Sequence, residues 1–142
     1  MPLRRFEHGA VTVDTEQTVL VAAQRMRDFR VGCVVVTRDG RAIGILTDRD
    51  IVVRVLAEGR SARTTQVGDA MSYLEATVTQ EDGIETALAK MREHGVRRLP
   101  IVDASGRATG VVTADDLFVL LAREISDLGE SIAENTDASE SR

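Results

Sequence analysis

An internal repeat limits the folds that this chain can adopt. The segment GILTDRDIV begins at Gly44, and the segment GVVTADDLF begins at Gly110. Each places two branched apolar residues after the glycine and then continues as Thr-x-x-Asp. A unit of about 60 residues buries only part of its apolar surface by itself. We therefore expect the 142 residues to form one domain from two similar halves.

The repeat extends upstream of the Thr-x-x-Asp motifs. Apolar residues with the i, i+3, i+4, i+7 spacing of an amphipathic helix occur twice, as Val19, Ala22, Ala23 and Met26 and again as Ile84, Ala87, Leu88 and Met91. One residue is inserted between the blocks, where TRDG in the first copy becomes VDASG in the second. Such an insertion is tolerated at a turn between two strands.

Each copy is predicted to fold as β-α-β-β-α, giving a mixed α/β (α+β) fold. In the first copy we expect strands at 11–13, 33–37 and 42–46 and helices at 16–29 and 48–58. In the second we expect strands at 77–78, 98–102 and 108–112 and helices at 83–94 and from 114 onward. Packing the copies face to face about a pseudo-twofold axis leaves a crevice with two related sites.

The predicted organisation has five parts. They are an N-terminal approach segment (1–9), the first repeat (10–58), a linker with a short helical turn (59–72), the second repeat (73–123), and a C-terminal helix extension with an acidic disordered tail (124–142). An apolar pattern from Phe118 to Ile132 predicts that the last helix is extended and docks on a second subunit.

Charge and hydropathy exclude several classes of function. Residues 124–142 hold six acidic residues and one arginine, which accounts for the whole net charge of −5. The neutral remainder carries no basic field for nucleic acid. The chain shows no apolar run of membrane-spanning length and no signal-peptide pattern, so we expect a cytoplasmic protein that does not bind membranes.

The sequence resembles a tandem pair of cystathionine-β-synthase (CBS) domains over about residues 9–123. The resemblance depends on GILTDRDI, GVVTADDL and HGVRRLPIVD at matching places of the duplicated unit. It implies that the cleft between the copies binds an adenosine-containing ligand: AMP, ADP, ATP, NAD(H) or S-adenosylmethionine. It also implies a homodimer with a regulatory role, and we expect regulation to act on a separate effector protein.

The resemblance implies two ribose-binding sites, Thr47 with Asp50 and Thr113 with Asp116. In each pair the Thr ends a strand and the Asp follows one helical turn later, and an ionised carboxylate can accept both ribose hydroxyls. The alternative is a capping box, in which each side chain satisfies a backbone amide at the start of the helix.

Other residues are assigned by the same resemblance. Arg97 and Arg98 are expected to face the phosphates, although a solvated arginine pair is an equal alternative. Pro100 is expected to shape an opening for the base. The first copy has neither feature, so Arg49 is our candidate for its missing cation, and Arg30 could also reach the cleft from the end of its helix. We therefore expect two unequal sites, with the fuller set of residues on the Asp116 side.

No catalytic or metal-binding set is found in the sequence. His8 and His94 are interpreted as structural, and Cys33 as a small core residue. Acidic pairs at the two helix starts would meet Mg²⁺ only through bound phosphates, and such pairs are also common without metal. Three functions remain: a nucleotide-sensing module, a scaffold or dimerisation module with vestigial sites, and a hydrolase that uses the paired carboxylates.

Overall fold

The computed structural model of the protein describes residues 2–6 and 9–140. His8 and the last two residues of the predicted tail lie outside this described part. The first repeat consists of β1 (Thr12–Asp14), α1 (Val19–Phe29), β2 (Cys33–Arg38), β3 (Arg41–Thr47) and α2 (Asp48–Asp50), which continues as a π-helical segment (Ile51–Leu56).

The second repeat follows a 3₁₀ turn (Val67–Asp69). Its elements are β4 (Ser72–Tyr73), α3 (Ile84–His94), β5 (Arg98–Val102), β6 (Ala108–Thr113) and α4 (Ala114–Glu140). The predicted mixed fold of two β-α-β-β-α repeats is confirmed.

The two sheets share an antiparallel pair of strands, but the first sheet has four strands and the second has two. The first has the order β1-β2-β3-β4, with β1 parallel to β2 and the other pairs antiparallel. In the second, β5 and β6 are antiparallel, and Val78 forms a parallel bridge with Ile101. This bridge corresponds to the pairing of Val13 with Val36 in the first sheet. The predicted strand at 77–78 is thus reduced to a single bridging residue.

The helix ends follow from local chemistry. Thr18 accepts a hydrogen bond from the amide of Val21, so α1 begins at Val19 and not at residue 16 as predicted. At its other end, Arg30 adopts the left-handed conformation with φ 54°. Gly95 ends α3 in the same way with φ 64°, and these two matching positions show that both helices are stopped by the same device.

The glycine that opens the first repeated motif allows β4 to approach β3. Gly44 pairs with Tyr73, and a Cβ atom on Gly44 would lie 2.6 Å from the sulfur of Met71 and 2.8 Å from the carbonyl oxygen of Ser72. Only glycine leaves room for this contact. We did not predict β4 from the sequence, because a two-residue strand has no alternation to detect.

Two apolar cores stabilise the molecule, one in each repeat. The first core contains Val34, Val36 and Leu46, and the second contains Leu99, Ile101 and Leu117. The N-terminal segment belongs to the second core, since Leu3 is fully buried there and its amide donates to the carbonyl of Asp82 at 3.0 Å. The N-terminal segment therefore packs on the second repeat, although it precedes the first repeat in the sequence.

The last helix differs from its prediction. We expected an acidic disordered tail, but α4 is continuous to Glu140 and all of residues 121–140 are exposed. No proline occurs in this stretch and no glycine follows Gly129, so nothing in the backbone interrupts the helix. The polar, acidic composition that suggested disorder is here the composition of a solvated helix.

Replacing Leu3 with alanine tests whether the N-terminal segment packs in the second core. We expect Leu3→Ala to lower the free energy of unfolding by about 2–5 kcal/mol, the usual cost of emptying a buried leucine site. Urea denaturation measures the change, with Leu88→Ala as a control because Leu88 is 39% exposed. A loss for Leu3→Ala no larger than that of the control would contradict the packing of Leu3 in the second core.

Candidate functional site

Each Thr-x-x-Asp motif forms a capping box at the start of the second helix of its repeat. The Asp50 amide donates to Thr47 Oγ1 at 3.1 Å, and the Thr47 amide donates to Asp50 Oδ2 at 2.9 Å. The corresponding distances between Asp116 and Thr113 are 3.0 Å and 3.2 Å. The capping interpretation is therefore correct at both positions. The capping bond uses only one acceptor position of each carboxylate, since each can accept about four hydrogen bonds.

The two aspartates differ in where their remaining acceptor oxygens face. The Asp50 side chain is 17% exposed, and its Oδ1 lies 3.9 Å from Nε of Arg54. Arg54 is itself held by the carbonyls of Ala70 and Met71 at 3.0 Å and 2.9 Å. Asp116 is exposed and lines two neighbouring cavities. Asp116 is thus the better placed of the two to contact a ligand.

The first of these cavities, the Asp116 cleft, lies between the repeats. It has a volume of about 300 Å³, at the lower end of the roughly 300–1,000 Å³ range of small-molecule sites. The second repeat supplies Arg98, Val111, Thr113 and Asp116, and the remaining lining residues are Phe6, Gly9, Ala10, Val11, Val31, Gly32 and Cys33. Apolar side chains therefore form one wall, and the polar groups are Thr113, Asp116 and Arg98.

The Thr47 cleft is the pseudosymmetric counterpart. It also has a volume of about 300 Å³. The first repeat supplies Ile45 and Thr47, and the remaining lining residues are Ser72, Tyr73, Leu74, Glu75, Ala76, Val96, Arg97 and Arg98. Asp50 is not among the residues that line it. The Thr47 cleft has the arginine pair and an aromatic ring, but its aspartate is directed toward Arg54.

Each cleft is built from both repeats. The Thr47 cleft contains Val96 and Arg97, which precede β5 of the second repeat, and the Asp116 cleft contains Val31 and Gly32, which precede β2 of the first repeat. We expected Arg97 and Arg98 on the Asp116 side, but the structure places both beside Thr47 and only Arg98 beside Asp116 as well. The sequence prediction grouped these residues by their nearness along the chain, and this grouping was wrong.

The other predicted site residues lie outside the clefts. Arg49 is exposed on α2 and lines neither cleft. Pro100 is buried in β5 opposite Val111, and its carbonyl accepts from the amide of Val78. Since the prolyl ring is buried in the sheet, it does not form part of either cleft wall.

Arg97 and Arg98 have different surroundings. Arg97 Nη2 lies 2.7 Å from Asp115 Oδ1, and both side chains are largely exposed. An exposed ion pair of this kind contributes little stability, so it can be exchanged for a ligand phosphate at small cost. Arg98 lines both clefts, and it shares the Asp116 cleft with Cys33, whose thiol is influenced by its charge.

Burial raises the pKa of the Cys33 thiol above its ordinary value of 9.0, and the charge of Arg98 opposes this rise. The nearby carboxylates of Asp48 and Asp116 raise the pKa further. The thiol therefore stays protonated at neutral pH. Its pKa depends on Arg98, which lines the same cleft.

A second cavity adjoins the Asp116 cleft. It has a volume of about 400 Å³ and shares Phe6, Val111 and Asp116 with the cleft. Arg5 and Arg123 also line it. A ligand bound at Asp116 therefore has a cationic region beside it in addition to Arg98.

Sequence reasoning missed the apolar and aromatic walls of the clefts. Phe6 lines the Asp116 cleft, and Tyr73, which is 69% exposed, lines the Thr47 cleft. The repeat itself carried a usable signal, because Val11 and Ala76 are separated by the same 65 residues as the helices. Val11 lies just before β1 and Ala76 lies two residues before the bridging residue Val78, but neither has a chemically distinctive side chain.

Among residues 2–6 and 9–140, no group of three or more His, Cys, Asp or Glu side chains is arranged to hold a metal ion. Within the part of the chain that the structure describes, no helix is long and apolar enough to cross a membrane.

Comparison with known proteins identifies the class to which the fold and clefts belong. The sequence model of the CBS domain matches residues 6–57 and 67–123. The chain therefore belongs to the CBS domain family and carries two copies of the domain, which form a regulatory module. These matches indicate no catalytic family.

Individual relatives are similar over most of this chain. The uncharacterized protein MK0525 of Methanopyrus kandleri is 34% identical over 109 residues, which cover 76% of this chain and 56% of that protein. The chain thus spans about half the length of this relative. The crystal structure of Hypoxic Response Protein I with two coordinated zinc ions is 34% identical, covers 82% of this chain and 96% of that one, and has a TM-score of 0.72.

A third comparison concerns the fold alone. The CBS domain pair of protein MJ0100, solved in complex with 5′-methylthioadenosine and S-adenosyl-L-methionine, is 19% identical and has a TM-score of 0.76. It covers 87% of this chain and 98% of that one.

The reactivity of Cys33 tests the geometry of the Asp116 cleft. We expect the rate of alkylation by iodoacetamide to rise with an apparent pKa above 9.0, since burial is the largest influence on the thiol. Arg98→Gln should move this apparent pKa further upward, because it removes the positive charge that opposes the rise. Arg97→Gln is the control and should leave it unchanged. An apparent pKa that falls in Arg98→Gln would contradict the contact between Arg98 and Cys33.

Proposed function

We propose that the protein is a non-catalytic regulatory module that binds an adenosine-containing ligand in the Asp116 cleft. The observation that carries the proposal is the position of Asp116. One of its oxygens caps α4, yet the carboxylate remains exposed on a cleft between the repeats. A carboxylate that the backbone holds in place can accept two neighbouring ribose hydroxyls without being reoriented.

The lining of the cleft fits the remaining parts of such a ligand. Val11 and Val31 form an apolar wall for the adenine base, and Phe6 supplies an aromatic ring beside it. Thr113 Oγ1 lies next to the ribose position and can share its hydroxyl with the sugar or the first phosphate. Arg98 provides a planar, permanently charged donor for phosphate oxygens.

We assign the Thr47 cleft a second and weaker ligand position. It has Thr47, Arg97, Arg98 and the ring of Tyr73, but Asp50 must turn away from Arg54 before it can accept ribose hydroxyls. The expectation of two unequal sites is kept in the proposal, with Asp116 on the stronger side. We assign no ligand contact to Arg49 or Pro100, since neither lines a cleft.

The arginines favour a ligand with phosphates, so we propose AMP, ADP or ATP ahead of NAD(H) or S-adenosylmethionine. Mg²⁺ would enter as the counter-ion of a di- or triphosphate, because Asp115 beside the cleft already pairs with Arg97. The complex of the CBS pair of MJ0100 with two adenosine compounds supports the ligand class. It does not favour one member of that class.

A ligand between the repeats would act by fixing their relative position. Arg98 faces both clefts, so occupation of one alters the charge available to the other. We propose that the resulting change is read by a separate effector protein and that the module acts as a homodimer. The dimer is supported by exposed apolar side chains on the second helix of each repeat: Val52, Val53 and Leu56 after α2, and Val119 on α4.

A scaffold with vestigial sites is the second candidate function. It is favoured by the engagement of Thr47 with Asp50 and of Arg97 with Asp115, which leaves these groups satisfied without a ligand. The two candidates make opposite predictions for ligand binding.

Substitution of the two aspartates distinguishes ribose binding from helix capping. Asparagine keeps an oxygen that can accept the capping amide but loses the charge and an acceptor position. We expect Asp116→Asn to weaken the tightest-binding compound among AMP, ADP, ATP, NADH and S-adenosylmethionine by about ten- to a hundredfold, the range for hydrogen bonds to a charged group. Isothermal titration calorimetry measures the affinities.

Asp50→Asn is the matched control, since Asp50 occupies the same capping position in the first repeat. It should change the affinity by less than Asp116→Asn does. In a thermal-shift screen, a true ligand at a hundredfold excess over its Kd should stabilise the natural chain by about 2.7 kcal/mol. If none of the five compounds stabilises the protein, the scaffold function replaces the sensor, and hydrolysis of a bound nucleotide would contradict the non-catalytic assignment.

A further inference from the structure

The last helix continues far beyond the body of the protein. Leu117 and Leu120 are the buried residues of α4, at 0% and 6% exposure. From residue 121 to residue 140 every position is exposed. At 1.5 Å per residue, this stretch extends about 30 Å past the last core contact.

An apolar stripe follows the exposed side of this helix. Its members are separated by three, four, three and four residues, and all are exposed by 41–74%: Phe118, Leu121, Ile125, Leu128 and Ile132. Alternating steps of three and four average 3.5 residues, the spacing of a coiled-coil seam and not of a helix that covers a globular core. Leu117 and Leu120 contact the core outside this spacing, so the stripe is additional to the core-facing side.

The distribution of charge indicates what can cover the stripe. Arg123, Asp127, Glu130 and Glu134 fall at heptad positions away from the seam, which begins at Phe118 as position a. Positions e and g beside the seam hold mainly small residues: Ala122, Gly129 and Ser131. Glu124 is the one charged residue at these positions between 121 and 132, and in a parallel pair it would face Gly129 of the other helix. An acidic helix can therefore pair with its own copy without placing like charges opposite each other.

The residue types in the seam indicate the direction of the pairing. The a positions hold Phe118, Ile125 and Ile132, and the d positions hold Leu121 and Leu128. Isoleucine at a with leucine at d favours a parallel pair of two helices. We propose that residues 118–132 of α4 form a parallel, two-stranded coiled coil with the same residues of a second copy of this chain.

The coiled coil rests on the proposed homodimer. It adds to it the segment that joins the two copies and the direction in which the helices pair. Two heptads are too short to form a stable pair alone. They act together with the body of the protein, because a contact between the bodies raises the effective concentration of one helix near the other. A change that opens or closes the bodies would thereby separate or join the helices.

Engineered cysteines test both the partner and the direction. Cys33 is the single cysteine, so Cys33→Ser gives a background in which an introduced thiol can form a disulfide only with another chain. We expect Ile132→Cys in this background to form disulfide-linked dimers under mild oxidation at low micromolar concentration. In a parallel pair the two copies of residue 132 face each other, whereas in an antiparallel pair that overlaps over residues 118–132 they lie about 21 Å apart along the helix axis.

Glu130→Cys in the same background is the matched control. Residue 130 is equally exposed but lies at an outer heptad position, so its cross-linking should be at least about tenfold slower. Both substitutions are at exposed positions, and an unchanged melting temperature shows that each chain is folded. As a second test, Ile125→Ser with Leu128→Ser should raise the dimer dissociation constant by about tenfold or more in sedimentation equilibrium, because it removes two apolar layers.

The outcomes separate this inference from the proposed function. If sedimentation shows a dimer but Ile132→Cys cross-links no faster than Glu130→Cys, the parallel seam is overturned and the homodimer is retained. A monomer at all accessible concentrations overturns both the seam and the homodimer. Neither outcome bears on ligand binding in the Asp116 cleft, which calorimetry measures independently.

Discussion

The hydrogen bonds between Thr113 and Asp116 connect the fold of this protein to its proposed function. They begin α4 at the end of β6, and they fix the carboxylate at the edge of the second sheet. One oxygen accepts a hydrogen bond from the backbone amide of Thr113, and the carboxylate also lines the Asp116 cleft. The same two bonds thus stabilise a helix and orient the group that we propose to bind ribose, so capping and ribose binding are compatible roles.

The asymmetry of the two clefts follows from what each aspartate contacts after it has capped its helix. In the first repeat, Arg54 lies one turn after Asp50 and is anchored by two carbonyls of the segment before β4. In the second repeat the matching position is Leu120, a core residue. Asp116 therefore has no arginine one turn after it on α4. Divergence at one position after duplication is enough to make equivalent carboxylates unequal.

Much of the fold could be predicted because the sequence contains two copies of the same pattern. The matching apolar positions Val19 and Ile84 gave the first helix of each repeat, and the two Thr-x-x-Asp motifs marked the starts of the second helices. The burial of Leu3 in the second core could not be predicted, since one leucine near the chain start has no periodicity. The length of α4 was missed because an acidic composition describes both a solvated helix and a disordered tail.

The candidate site was predicted in part. Thr47, Thr113 and Asp116 were identified by a motif, and the structure places them at clefts between the repeats. The assignment of Arg97 to the Asp116 side failed because sequence order does not show that each cleft combines the Thr of one repeat with residues that precede a strand of the other repeat. Phe6 and Tyr73 were missed because a cleft wall is defined by three-dimensional proximity and not by a chemical pattern.

The crystal structure of the protein with ADP would test the central claim most directly. The account predicts that the ligand lies between the repeats, with both ribose hydroxyls at about 2.5–3.0 Å from the Asp116 carboxylate and the phosphates toward Arg98. A complex in which Asp116 contacts only the amide of Thr113, while the ribose binds elsewhere or the clefts remain empty at saturating ADP, would contradict it.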